Sequence, residues 1–321
     1  MNSPGPDIYA PARQVDGRFI NASGHAQHGG FRALQWFVTR RPVPWPQHVA
    51  NIVAPKPVPR VTGGSIRVTL VGHATVLLQV AGMNIVTDPV WSERAGPLSW
   101  LGVKRVRPPA IAFDDLPLID VILLSHSHYD HLDRPALAAL ERRDRPLLVT
   151  GLKVGRITPC TKIVELDWWQ RHALRDNIAV TYVPAEHFSA RGPFDRNKTL
   201  WGGFVLETQA GRIYFAGDTG DGPHIVAIAE RFGPMTLSML PIGAYLPAWF
   251  MAPVHMSPPE AVAAVATLQS RLTLPIHYGT FRLADDGFDE PLRELHKALA
   301  ARGGDLDFRV PEFGEAVEIG R

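Results

Sequence analysis

The chain has 321 residues, 45% of them hydrophobic, with 33 Lys and Arg against 31 Asp and Glu and a formal charge of +2. That length allows one large domain or two small ones with a substantial core, and the near-neutral balance lacks the basic signature of a nucleic-acid-binding protein. Cys160 is the single cysteine, which excludes an intrachain disulfide and is compatible with a reducing, cytoplasmic location.

Residues 1–10 carry no basic region followed by an apolar core, so no secretory signal is read there. No run approaches the ~20 apolar residues that span a bilayer, and any membrane contact is therefore expected to be peripheral. Residues 1–60 read as a Pro-rich N-terminal arm, with prolines at 42, 44, 46, 55, 57 and 59. Within it, residues 31–40 have the pattern of a short amphipathic helix bearing Leu34, Trp36, Phe37 and Val38. The arm either packs on the domain or, with aromatics beside Arg40 and Arg41, faces lipid.

Strand patterns begin at residue 66. Residues 66–71, 76–80 and 84–87 are short and rich in β-branched side chains, with breaks at Gly72 and Gly82. Residues 119–124 read as a buried strand. Asp133 and Pro135 suit the start of a helix through Leu140. Further strands are expected at 147–150, 163–166 and 178–183, and a hairpin of 201–207 with 212–216 across Ala210-Gly211. Helices follow at 224–232, at 258–269 behind a capping box from Ser257 to Glu260, and at 290–301, ended by Gly303-Gly304. Residues 274–277 form one more strand. Strands in runs with helices between them imply sheet layers flanked by helices, within either an α/β or an α+β fold.

Ser125-His126-Ser127-His128-Tyr129-Asp130-His131 directly follows the strand at 119–124. A strand end is rigid enough to hold metal ligands at fixed spacing. Imidazole nitrogen and carboxylate oxygen suit zinc or another first-row divalent metal. His126 and His128, two apart, point the same way in extended chain, and Asp130 and His131 lie past the turn, within reach of a second ion. His187, Asp218 and His277 each end an apolar strand, and converging strand ends make one plausible site. Asp88, between Thr87 and Pro89, is either an orienting partner for a ligand imidazole or a turn carboxylate. His73, beside Gly72, also has a place near the site. Tyr245 and His255 flank the apolar Leu246-Pro247-Ala248-Trp249-Phe250-Met251.

The His126-x-His128-x-Asp130-His131 string resembles the signature of the metallo-β-lactamase superfamily. Further stretches are similar to one branch, the N-acylphosphatidylethanolamine-hydrolysing phospholipases D. They are Gly72-His73-Ala74-Thr75, Thr87-Asp88-Pro89, Glu165-Leu166-Asp167-Trp168-Trp169, Asn197-Lys198 with Leu200-Trp201-Gly202, Phe215-Ala216-Gly217-Asp218-Thr219-Gly220, Pro241-Ile242-Gly243-Ala244-Tyr245, and Ile276-His277-Tyr278-Gly279-Thr280-Phe281. They cover most of the chain beyond residue 61.

The resemblance implies an α+β fold, a four-layer αβ/βα sandwich over residues 61–321 with metals at the edge between two sheets. It implies two zinc ions, another first-row metal remaining possible. His126, His128 and His187 would hold one ion and Asp130, His131 and His277 the other, with Asp218 bridging. Asp130, His255 and Tyr245 would act on substrate, with Trp249, Phe250 and Met251 either along the substrate channel or in ordinary core. The implied activity is that of a zinc-dependent phosphodiesterase hydrolysing a glycerophospholipid, with metal-activated hydroxide attacking phosphorus. The alternative is a metal-dependent hydrolase of a soluble ester, lactone or phosphodiester. A complete ligand set counts against a non-catalytic metal scaffold. The expected partners are a phospholipid or other phosphodiester and a peripheral membrane surface, with a homodimer possible and no nucleic acid. The resemblance departs at Phe188, Asp221 and Phe19-Ile20-Asn21-Ala22, positions that bear on substrate and docking rather than on hydrolysis.

Overall fold

A computed structural model describes residues 7–24, 30–41 and 43–320. Residues 1–6, within the stretch that reads as lacking a secretory signal, and Pro42 of the arm lie outside the described residues. The chain opens with β1 (Gln14–Val15) and β2 (Arg18–Phe19), paired antiparallel across Asp16 and Gly17. Both turn residues have positive φ, which an Asp-Gly pair accepts readily. Helix α1 (Phe31–Thr39) follows.

The strands β3 (Ile66–Gly72), β4 (Thr75–Val80) and β5 (Met83–Thr87) form a meander. A hairpin, β6 (Arg94–Leu98) with β7 (Leu101–Lys104), stands apart from the main sheets. Then come β8 (Val121–Leu124), α2 (Arg134–Arg143), β9 (Leu147–Gly151) and β10 (Ile163–Leu166). The second half runs β11 (Arg171–Arg175), β12 (Ile178–Val183), β13 (Gly203–Thr208), β14 (Gly211–Phe215), α3 (Pro223–Phe232), β15 (Leu237–Pro241), α4 (Ala248–Met251), α5 (Pro258–Leu268), β16 (Thr273–Ile276), α6 (Glu290–Arg302) and β17 (Ala316–Ile319).

Two sheets result. One has seven strands in the order β10-β9-β8-β5-β4-β3-β17, the other six in the order β11-β12-β13-β14-β15-β16. Pairing is parallel from β5 through β8 and β9 to β10, and again from β14 through β15 to β16. Alternation along the strands explains the layering. In β8, Val121 and Leu123 enter the large core, and Ile122 and Leu124 enter a second core with Leu137 and Leu140 of α2. In the large core the first sheet's Val68, Leu78 and Ile85 join Tyr182, Phe204 and Phe215 of the second. Ile225 and Ile228 of α3 and Ala261 and Val265 of α5 complete that core. The order is helix, sheet, sheet, helix: the α+β four-layer sandwich. Both faces of each sheet are covered, and the strands accordingly read as near-continuous apolar runs.

Helix ends fall where capping chemistry puts them. Asp133 accepts the Ala136 N–H at the start of α2, and Ser257 and Glu260 close a capping box before α5. The first strand of the expected 201–207 hairpin starts later, at Gly203. Trp201 instead sends its indole N–H to Ala185 O (3.0 Å), and the Gly202 N–H reaches Ser125 O (3.2 Å).

The segment before residue 60 touches the sandwich at named points. Phe19 is fully buried in the large core, and its N–H donates to Asn197 O at 2.8 Å. The Trp45 indole donates to Asp286 O at 2.8 Å. Helix α1 differs, since none of its residues is buried. Trp36 stacks on Phe250 (centroids 5.1 Å apart) and donates to Asp285, which also pairs with Arg40 at 3.3 Å. Phe31, Leu34, Phe37 and Val38 are exposed.

Candidate metal centre and its channel

The seven ligand candidates come from four places in the chain that meet at one edge of the sandwich. His126, His128, Asp130 and His131 lie between β8 and α2. His187 follows β12, Asp218 follows β14 and His277 follows β16. These strand ends belong to both sheets, and the loops beyond them turn sharply. His73, Asp88 and His277 all have positive φ, an uncommon conformation for residues with a Cβ. Gly217, also at positive φ, lets the chain pass under Ser125, where a Cβ would meet the Ser125 Cβ at 2.8 Å.

Two sets of donors face each other. In the first, His126 Nε2 and His187 Nε2 lie 2.8 and 3.1 Å from His128 Nδ1. Ligands around a tetrahedral zinc at 2.0–2.1 Å are about 3.3 Å apart, close to this spacing. In the second, His131 Nε2 and His277 Nε2 each lie 3.3 Å from Asp130 Oδ2. Asp218 Oδ2 stands between the sets, 3.0 Å from His277, 3.1 Å from His131, 3.7 Å from His187 and 4.0 Å from His126.

The surrounding residues hold these donors in place. Asp88 is fully buried and accepts from the Ser125 N–H (2.7 Å), the Ser125 hydroxyl (2.6 Å) and His131 Nδ1 (2.6 Å). That last bond turns Nε2 of His131 toward Asp130 and Asp218. His187 Nδ1 donates to Val254 O at 2.9 Å, which fixes its ring in the same way. His73 Nε2 lies 3.0 Å from Asp130 Oδ2, and its carbonyl accepts the His277 N–H at 2.9 Å. The sequence places His73 near the site without a task; the structure shows it gripping two candidate ligands.

The charge states of the first donor set suit a cation, whereas His131 and His277, the latter raised against burial to about 9 by Asp218 and Asp130, must give up a proton to take one. Burial pushes His126 and His187 well below the ordinary imidazole value, and His128 to about 4. These imidazoles are neutral at pH 7 with lone pairs to give. Burial acts to raise Asp130 and Asp218, but the neighbouring histidines outweigh it and hold both carboxylates well below the usual range. Burial opposes charge on His131 too, yet Asp218, Asp130 and Asp88 together hold its pKa well above the ordinary value. Asp218 Oδ1 is buried without a hydrogen-bond partner among the described residues. Buried polar atoms left unpaired are costly. A set of imidazoles and carboxylates aimed at one space, with an orphaned oxygen among them, fits divalent metal.

A channel of about 320 Å³ leads to the donors. His128, Asp130, Asp218, His255 and His277 form its floor, and Trp36, Phe188, Phe250, Met251, Val254 and Leu283 much of its wall. His255 Nδ1 is 4.0 Å from Asp218 Oδ2, and burial lowers its pKa to about 3. Phe250 and Met251 line the channel. Trp249 does not, since it is 44% exposed beside Phe250. Tyr245 is buried but absent from the lining, and the charges nearest its hydroxyl include Glu290, Asp286 and Glu294, none of them a candidate ligand. Arg196, which the motifs pass over, lines the channel from an irregular loop with no periodicity to flag it.

Two face-to-face sheets with helices outside, and a histidine and aspartate cluster on their shared edge, define a metal-dependent hydrolase of the metallo-β-lactamase fold. The family described as "Beta-lactamase superfamily domain" matches residues 83–278, and the chain belongs to that superfamily, in the branch that includes N-acyl-phosphatidylethanolamine-hydrolyzing phospholipases D. It is 36% identical over 267 residues to N-acyl-phosphatidylethanolamine-hydrolyzing phospholipase D 1 of Caenorhabditis elegans, covering 78% of this chain and 75% of that one. It is 36% identical over 316 residues to an uncharacterized protein of Mycobacterium tuberculosis, covering 94% and 83% of the two chains. Among solved structures it is similar to the metallo hydrolase Igni18 of Ignicoccus hospitalis, with a TM-score of 0.61 at 22% identity, covering 80% and 99% of the chains.

Proposed function

We propose that this hydrolase cleaves the phosphodiester of a glycerophospholipid, releasing phosphatidate, with two zinc ions in its centre. The observation that carries the reading is the channel: two donor sets joined by Asp218 lie at the base of a largely apolar passage. His126, His128 and His187 would hold one ion, Asp130, His131 and His277 the other, with Asp218 shared. When bound, such a pair supplies a water acidified toward neutral pKa and positive charge for phosphoryl oxygens.

The chain's own residues do the rest. Asp88 and Val254 O keep the ligand imidazoles in one tautomer. His73 limits the swing of Asp130. His255, neutral and with Nδ1 unpartnered among the described residues, is placed on the channel floor to hydrogen-bond a phosphoryl or leaving-group oxygen. The apolar wall takes acyl chain and excludes water. Among the described residues no helix is long and apolar enough to cross a membrane, so substrate would be drawn from a surface. The exposed apolar side chains of α1, beside the channel, suit that contact.

The test is lipid mass spectrometry of a mixed phospholipid extract incubated with zinc-loaded protein. Phosphatidate should accumulate as one phospholipid class disappears, and chelator should stop both changes. Hydrolysis of soluble esters or lactones with the phospholipids untouched would refute the reading.

A further inference from the structure

Arg196 is the one lysine or arginine lining the metal channel among the described residues. The loop that carries it is pinned. Arg18 donates to the Arg196 carbonyl, the Asn197 N–H donates to Ser189 O at 2.8 Å, and Asn197 O accepts the Phe19 N–H at 2.8 Å. The side chain is half-buried, with its guanidinium over the Phe188 ring, 4.1 Å from the centroid. Phe188 in turn stands edge-on to His128, with centroids 4.5 Å apart. A guanidinium stacked on a ring loses little further freedom on binding. This one is held a single aromatic ring away from the first donor set. The carboxylates on the channel floor, Asp130 and Asp218, are engaged by histidines.

We infer that Arg196 binds a non-bridging oxygen of the substrate's phosphoryl group, making this side chain the source of selectivity for an anionic phosphodiester over a neutral ester. The inference rests on the phosphodiesterase reading. A phosphodiester carries one negative charge shared by two oxygens, and attack at phosphorus adds more. Guanidinium donors match that geometry and strengthen as the charge grows. A neutral ester offers no such charge, so its handling would not depend on Arg196.

The experiment compares wild type, Arg196→Gln and Arg196→Lys, all zinc-loaded, with bis(p-nitrophenyl) phosphate as substrate. Inorganic phosphate and a neutral diacylglycerol serve as competitors. Arg196→Gln should raise both KM and the phosphate inhibition constant by about tenfold or more. Arg196→Lys should recover part of each. Zinc content and diacylglycerol inhibition should not change. Values for Arg196→Gln within about twofold of wild type would overturn the inference. So would an equal loss toward diacylglycerol or a loss of zinc, since either marks a structural role. A wild type that cleaves no phosphodiester would refute the parent reading instead.

Discussion

The side chain of Asp88 tests how far the centre depends on a carboxylate that never faces the channel. Its Oδ1 accepts the Ser125 N–H, and its Oδ2 accepts both the Ser125 hydroxyl and His131 Nδ1. Asp88→Asn keeps Oδ1 and its bond but replaces Oδ2 with an amide NH2. The Ser125 hydroxyl can rotate and become an acceptor. His131 cannot adapt so simply. To accept from the new amide it must move its proton to Nε2, the nitrogen that faces Asp218 at 3.1 Å and Asp130 at 3.3 Å. An imidazole protonated there has no lone pair for a cation. Loss of such an orienting partner costs about 10–100-fold in metal affinity, or roughly 1.4–2.7 kcal/mol. The assay is zinc competition against a chromogenic chelator, which resolves stepwise affinities. On the proposed two-ion reading, the ion held by His131 should weaken by that factor while the other changes less. Unchanged affinities at both positions would show that His131 does not need Asp88 as its orienting partner.

Cys160 lies in the core around α2, its thiol pushed up to about 11 by burial. Cys160→Ala should therefore leave turnover within a few-fold of wild type while chelation abolishes it reversibly, and a trapped covalent intermediate would contradict this. Trp249→Ala should lower turnover on vesicles by up to about tenfold and spare a short-chain soluble phosphodiester, whereas Phe250→Ala, which opens the channel wall, should lower both. Equal losses for Trp249→Ala on the two substrates would remove the lipid-contact role. Burial raises Asp286 from 3.8 to about 6, and its Oδ1 has no partner among the described residues. A raised carboxylate stabilises the fold at pH below about 4, and that share is lost as pH rises through about 6. Asp286→Asn should then match wild type at pH 4 in chemical denaturation and exceed it at pH 7 by about 2–3 kcal/mol, and parallel curves at both pH values would refute the argument.

Much of the fold could be read because its strands are buried on both faces. Continuous apolar runs such as Val121–Leu124 and Ile178–Val183 leave little ambiguity. Some elements that escaped lack that cause, although β15, buried throughout, was not delimited either. β11, with alternating exposed positions, and the largely exposed hairpin of β6 and β7 show no core pattern. The ligand candidates were legible because each ends such a strand, so their convergence follows from sheet topology. Tyr245, Trp249 and Arg196 were not, because which way a loop side chain turns depends on packing between distant segments. Tyr245 is buried away from the channel lining, Trp249 faces solvent, and Arg196 lies over Phe188. His73 was placed near the site, yet its grip on Asp130 needed a residue with a Cβ at φ 55, which no local rule predicts.

The donors come from both sheets: four from the loop after β8 in one, and His187, Asp218 and His277 from strand ends of the other. A cation shared by them is a crosslink that forms only when the two sheets are docked in register. Binding and docking then become a single equilibrium, and each tenfold rise in free metal above the dissociation constant adds about 1.4 kcal/mol to the cohesion of the two halves. Metal supply would thereby set how long the protein survives proteolysis as well as how fast it turns over.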